Sequence, residues 1–282
     1  MIRRAALGRV AVEFSDEGPR AKAPERERRV PVVLLHGFTG SRESWLDLRE
    51  SLSDSRRVVS IDLPGHGGTE AGLEPENYSM RNAAAMVTAL MAEYLDAPRF
   101  ALVGYSMGGR LALAIALEHA SSVEKLVLES ASPGIADGSE RARRRRSDEE
   151  LAAFVESEGI EAFVDRWERN PLFDSLAALA PGKRDHLRRV RLGCAPSGLA
   201  LSLRAMGTGA QPWLGDRLSE LEIPTLLVAG ALDSKFTRIA REIASLVQHA
   251  RLEIIEGAGH APHLEQSGQF NRLVAEFLNG AP

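Results

Sequence analysis

The residues best suited to chemistry lie in Gly104-Tyr105-Ser106-Met107-Gly108. A G-x-S-x-G run lifts its serine onto a sharp turn when a strand precedes it and a helix follows. Here the apolar run at 100–103 precedes, and a helical pattern begins near Gly109. Small residues must flank the serine, because side chains there would collide with the adjoining strand and helix. Without such flanks the same five residues would be an ordinary glycine-rich turn. A serine hydroxyl becomes reactive only when a neighbouring imidazole takes its proton. His260, in Glu256-Gly257-Ala258-Gly259-His260, directly follows the last strand candidate and can reach the same sheet rim. The imidazole needs a carboxylate to fix its tautomer and stabilise the imidazolium. Asp233, in the loop Gly230-Ala231-Leu232-Asp233 after another strand candidate, is placed for that task. Each residue alone is an ordinary loop polar group; three of them, each just past a strand, read as a catalytic triad.

Such a triad also needs donors for the negative charge that develops during reaction. The Met107 backbone N–H sits at a helix N-terminus, where the dipole favours an anion. The second donor should come from a loop after an earlier strand. His36-Gly37-Phe38-Thr39-Gly40 follows the run at 31–35, which assigns the Phe38 N–H. The turn Asp62-Leu63-Pro64-Gly65-His66-Gly67 reads as architectural, with His36 and His66 as hydrogen-bonded structural groups. His260 and His263 have an i, i+3 spacing, but no cysteine or carboxylate cluster accompanies them, so no metal is expected.

Those residues must be carried by elements with the right rhythm. Strand candidates occur at 9–14, 31–35, 58–61, 100–103, 125–128, 225–229 and 252–255. Most are short, apolar throughout and rich in branched residues, as expected of strands covered on both faces. Helical patterns at 45–52, 79–95, 110–119, 238–247 and 270–278 alternate with them, and a turn-rich charged stretch runs from Ser15 to Arg29. Strand alternating with helix predicts an α/β fold with a mostly parallel central sheet flanked by helices. The rhythm breaks after Pro133, where amphipathic patterns at 148–156, 160–169 and 185–192 replace strands. The expected organisation is a core of residues 1–132 and 214–282 with a helical cap, 133–213, over the carboxyl ends of the strands, where open α/β sheets place ligands.

Bulk properties narrow the function classes. A net charge of -4 over 282 residues gives no global attraction to nucleic acid or anionic membrane. The single cysteine, Cys194, excludes an internal disulfide framework. No apolar run approaches the ~20 residues of a membrane span or forms a signal segment. A cytoplasmic protein is expected, with no nucleic-acid partner and no membrane partner. Oligomeric state is not legible.

The His36-Gly37 segment, the Asp62 to Gly67 turn, the serine turn, Asp233 and His260 together resemble the α/β-hydrolase superfamily over nearly the whole length. Ser, Asp and His also follow in that fold's chain order. Narrower features are the serine turn continuing to Gly109-Arg110, Ser130-Ala131-Ser132-Pro133-Gly134-Ile135, and the basic run 141–146. Trp167, Pro171-Leu172-Phe173 and Asp233-Ser234-Lys235-Phe236 complete the set. This combination is similar to the menaquinone-pathway family of 2-succinyl-6-hydroxy-2,4-cyclohexadiene-1-carboxylate synthases. The resemblance implies a cofactor-free lyase that removes pyruvate from an enolpyruvyl-bearing cyclohexene carrying three carboxylates. It also implies Arg110, Arg144 and Arg191 as anion-binding residues, Trp167 as a cap aromatic and Tyr105 as a polar neighbour in the pocket. Guanidinium groups suit carboxylates because their planar fork matches them bidentately. The run at 141–146, followed by Asp148, Glu149 and Glu150, equally fits a solvated helix face, so at most one or two of its arginines face a pocket. The alternatives are a serine hydrolase of small esters, thioesters or carbon–carbon bonds, in which Ser106 is acylated, and a non-catalytic binding module. The filled triad argues against the last.

Overall fold

The computed structural model describes residues 1–18 and 29–280. Eight strands form one sheet: β1 (Ile2–Leu7), β2 (Val10–Glu17), β3 (Val32–Leu35), β4 (Val58–Ile61), β5 (Phe100–Tyr105), β6 (Val123–Glu129), β7 (Thr225–Gly230) and β8 (Ala250–Ile255). Their spatial order is β1-β2-β4-β3-β5-β6-β7-β8. The pairs from β4 across to β8 are parallel, while β1 with β2 and β2 with β4 are antiparallel. The helices are α1 (Leu46–Leu52), α2 (Met80–Ala89), α3 (Met107–Glu118), α4 (Gly138–Glu168), α5 (Pro181–Leu192), α6 (Pro196–Met206), α7 (Ser234–Leu246), α8 (Pro262–Glu265) and α9 (Ser267–Asn279). None among the described residues is long and apolar enough to cross a membrane.

The continuous apolar strands serve two cores at once, because successive side chains leave opposite faces. Val33, Leu35, Val59, Ile61 and Leu102 pack with the α2 and α3 residues Ala83, Val87, Leu111 and Ile115. Val32, Leu34, Val58, Ala101 and Val103 pack on the other face with Trp45, Leu48, Leu52, Phe270 and Val274. The expected parallel sheet with helices on both faces is therefore present.

The hairpin edge differs from the sequence reading. β1 was not expected, because Arg3 and Arg4 break an apolar pattern; they are instead paired across the edge with Asp16, Glu13 and Glu70. β2 runs past Phe14 to Glu17, whereas the sequence reading ended this strand at Phe14 and began a turn-rich stretch at Ser15. Ser15 pairs with Ser60, and the Arg57 guanidinium holds both Asp16 oxygens at 2.8 and 2.9 Å. The rest of that stretch, residues 19–28, lies outside the described residues.

Between β6 and β7 the chain is helical. The patterns at 148–156 and 160–169 are halves of α4, broken at Gly159, whose φ of 80° and ψ of 178° belong to glycine. α6 was not anticipated. It packs Leu199, Ala200 and Leu203 on Ala152, Val155, Phe163 and Val164 of α4. Arg204 of α6 grips Glu149 and Glu156 of α4 at 2.8 and 2.7 Å. The segment starts and finishes at one point, where the Leu214 N–H donates to the Pro133 carbonyl at 2.8 Å.

Candidate active site

Ser106 sits between β5 and α3 with φ 51° and ψ -107°, a conformation costly for an L-residue. Its N–H donates to the Glu129 carbonyl of β6 at 2.8 Å, which holds the turn. The glycines are obligatory here. A Cβ on Gly108 would lie 2.1 Å from the Leu35 carbonyl oxygen, and one on Gly104 would lie 2.4 Å from that of Gly108.

The other two triad candidates arrive from neighbouring strand ends. Asp233 caps α7: its Oδ1 accepts the Phe236 N–H at 3.1 Å, while Oδ2 lies 2.7 Å from His260 Nδ1. His260 Nε2 lies 3.1 Å from Ser106 Oγ. With Nδ1–H donated to the carboxylate, Nε2 is free to accept the serine proton. The loops converge because Gly230 carries no side chain; a Cβ there would meet the Gly259 carbonyl oxygen at 2.1 Å. The Phe236 ring, 4.5 Å from His260 between centroids, closes the imidazole's flank.

Met107 N–H opens α3, and Phe38 N–H lies in the loop after β3; among the described residues neither has a backbone acceptor. His36 supports that loop by bridging Gly37 O at 2.7 Å and Leu63 N at 3.0 Å. Accepting from Leu63 requires a neutral ring, and burial pushes its pKa down to about 4. His66 packs beside it with a pKa lowered to about 3, first by burial and then by His36. Both are structural, as their surroundings in the sequence suggested.

Ser106 and His260 open into a cavity of about 670 Å³, lined by Phe38, Tyr105, Met107, Arg110, Arg144 and Trp167 among others. Arg110 is buried, donates to Gln211 Oε1 at 2.8 Å, and has no carboxylate partner among the described residues. Burial, and secondarily Arg144, lower its pKa to about 10. A guanidinium so placed is a ready counter-charge for an anionic ligand. Arg144 also reaches the cavity, tethered to Asp148 at 2.7 Å. Trp167 packs edge-on against Phe38, with centroids 5.3 Å apart.

Arg191 is placed differently. It lines a separate space of about 30 Å³ that shares Phe38, Tyr105 and Phe173 with the main cavity. Its guanidinium is paired with Glu168 at 2.9 Å and lies 5.4 Å over the Phe173 ring. Tyr105 borders both spaces, and burial, reinforced by Glu129, raises its pKa well above the ordinary phenol value. Trp213 and Lys235 also line the main cavity. Lys235 was legible, standing two residues after the acid at the start of a helix. Gln211, which holds Arg110, and Trp213, on the cavity wall, carry no local signal, because only the closure of the 133–213 segment brings them to these places. Among the described residues, no group of three or more His, Cys, Asp or Glu is placed to hold a metal ion.

A serine on a strand-to-helix turn, with an aspartate and a histidine after later strands of one mostly parallel sheet, defines a class. Residues 32–273 match the alpha/beta hydrolase family, and the chain belongs to it. Within that family it is 43% identical over 269 residues to a Bacillus subtilis (strain 168) protein named as a candidate 2-succinyl-6-hydroxy-2,4-cyclohexadiene-1-carboxylate synthase, with 95% of each chain covered. It is 32% identical to the synthase of that name from Escherichia coli O139:H28, over 88% of this chain and 93% of the other. Among solved structures, MenH from S. aureus superposes with a TM-score of 0.88 at 34% identity, covering 94% of this chain and 97% of that one. An esterase from Thermogutta terrifontis superposes at 0.82 with 25% identity, over 99% and 98% of the two chains.

Proposed function

We propose that this chain is a lyase of menaquinone biosynthesis, a 2-succinyl-6-hydroxy-2,4-cyclohexadiene-1-carboxylate synthase. It eliminates pyruvate from 2-succinyl-5-enolpyruvyl-6-hydroxy-3-cyclohexene-1-carboxylate. The likeness to synthases of that name along almost the entire chain supports this reading. The observation in the site that carries it is Arg110: a buried guanidinium without a carboxylate partner among the described residues, on the wall of the cavity that holds Ser106.

In this mechanism His260, oriented by Asp233, takes the Ser106 proton, and the serine oxygen removes a ring proton from the substrate. The electron pair moves through the ring and expels the enolpyruvyl oxygen, which leaves as pyruvate after protonation and tautomerisation. Phe38 and Met107 N–H groups hold the carbonyl oxygen on which charge grows. Arg110 and Arg144 bind substrate carboxylates. Arg191 joins them only if it leaves Glu168, and Tyr105 and Trp167 wall the pocket. Residues 133–213 act as the cap over the cavity. The enzyme works in the cytoplasm on a free tricarboxylate, without nucleic acid or membrane. Incubating the purified protein with the enolpyruvyl precursor and following pyruvate tests this. Release no faster than the spontaneous background rejects it, and rapid turnover of short neutral p-nitrophenyl esters instead favours a serine hydrolase.

A further inference from the structure

The loop that carries His260 is held by two carboxyl groups the proposed mechanism does not use. Glu265 reaches back along the chain so that Oε2 accepts the Gly259 N–H at 2.7 Å and Oε1 the Ala261 N–H at 2.9 Å. The backbone N–H groups of the two residues on either side of His260 are thus fixed by one side chain. Glu129, fully buried at the end of β6, acts from the sheet side. Its Oε1 accepts both the backbone N–H of His263, at 2.9 Å, and His263 Nδ1–H, at 2.8 Å. The carbonyl of the same Glu129 accepts the Ser106 N–H at 2.8 Å. One residue therefore ties the nucleophile turn to the histidine loop. His263 lies between Trp45 and Tyr105, each ring 4.7 Å away. Neither glutamate lines the cavity.

We infer that Glu265 and Glu129 are positioning residues that set the His260–Ser106 spacing. The inference rests on the assignment of His260 to the triad. The two side chains differ in a way that makes the idea testable. Glu265 uses both oxygens as acceptors, whereas Glu129 uses one, and its Oε2 has no partner among the described residues. An amide keeps one acceptor and turns the other into a donor. Glu129→Gln can preserve every contact, but Glu265→Gln must set an N–H against a backbone N–H.

The experiment compares Glu265→Gln, Glu129→Ala and Glu129→Gln for kcat and KM of pyruvate release, for melting temperature, and for the downfield proton resonance of the His260–Asp233 hydrogen bond in substrate-free enzyme. Glu265→Gln is expected to lose on the order of 10²-fold in kcat, the usual cost of an ångström-scale misplacement, with KM unchanged and the resonance broadened or lost. Glu129→Ala, which removes the acceptor of both His263 N–H groups, is expected to lose kcat in the same way with KM unchanged, and Glu129→Gln, which keeps that acceptor, to restore it. Wild-type kcat in Glu129→Ala would overturn the part assigned to Glu129. Wild-type kcat and resonance in Glu265→Gln would overturn the inference. So would a loss of kcat matched by a rise in KM and a fall in melting temperature, since that is general destabilisation. Loss of activity in Glu129→Gln would assign its role to charge rather than to geometry, and overturn it too. Should wild-type enzyme release no pyruvate, the resonance still tests the clamp, and only the functional proposal fails.

Discussion

Ser106 occupies backbone space that L-residues avoid, and it is held there by hydrogen bonds and two steric exclusions rather than by its own preference. Among the described residues its hydroxyl has one partner, His260 Nε2, so Ser106→Ala leaves the framework intact. We expect kcat of Ser106→Ala to fall by roughly 10²–10⁴-fold, the range typical of losing a positioned base, with an unchanged melting temperature; normal turnover would remove the serine from the mechanism. Arg110→Ala probes binding instead. Losing a charge-assisted contact typically costs about 1.5–3 kcal/mol. KM should therefore rise by on the order of 10- to 100-fold, measured in the same assay, with Arg110→Lys intermediate because a point charge cannot reproduce the fork. A third expectation concerns pH and stability. His36 is neutral in the folded protein, with its pKa at about 4 against an unfolded value of 6.5. Between those values the unfolded chain binds the extra proton. The stability His36 contributes is full above pH 6.5 and is lost as pH falls through 6.5 towards 4. A melting-temperature profile should drop across that window, and His36→Gln should flatten the drop.

Elements differ in how plainly they were written. β3, β4 and β5 were legible because a strand buried on both faces must be apolar throughout. The cluster of Ser106, Asp233 and His260 was legible because each member stands just past such a strand. β1 was not, since its stability comes from arginines that find acids on β2 and in the loop near Glu70, a pairing that no local window contains. The break between the two helical patterns was legible, because Gly159 takes a φ of 80° and a ψ of 178° that separate one helical stretch from the next. The contrast between Arg110 and Arg191 was hidden for a different reason: a sequence reports a cation but not the glutamate folded against it. Gly159 gives a prediction at this scale. A Cβ there meets nothing within 4 Å, so Gly159→Ala carries only the cost of its φ of 80°, about 1–3 kcal/mol. A melting temperature lowered by a few degrees is expected, with KM raised because Trp167 lies on the half of α4 beyond the break.

At the scale of the molecule, a chain with a net charge of -4 encloses a cavity bearing Arg110, Arg144 and Lys235. Lys235 is exposed, and Asp137, Glu140, Arg238 and Glu242 also line the cavity. The attraction for an anion therefore centres on the buried Arg110 and the half-buried Arg144, while salt screens the exposed charges most strongly. Under the proposed function, KM should rise with ionic strength while kcat stays level, which a salt titration of initial rates measures. An equal effect on both would place the charge dependence in chemistry rather than in binding.

The hydrogen bond from Leu214 to Pro133 has a wider meaning. A stretch whose two ends meet at one peptide-to-peptide contact is, in engineering terms, a cassette. It can be lifted out and replaced without asking the sheet to change register, because the strands on either side never part. The reactive turn would stay with the scaffold, and much of the choice of substrate would travel with the cassette. Under the proposed function Arg110 would stay with the scaffold while Arg144 and Trp167 travelled with the cassette, so a change of substrate need not begin at the serine.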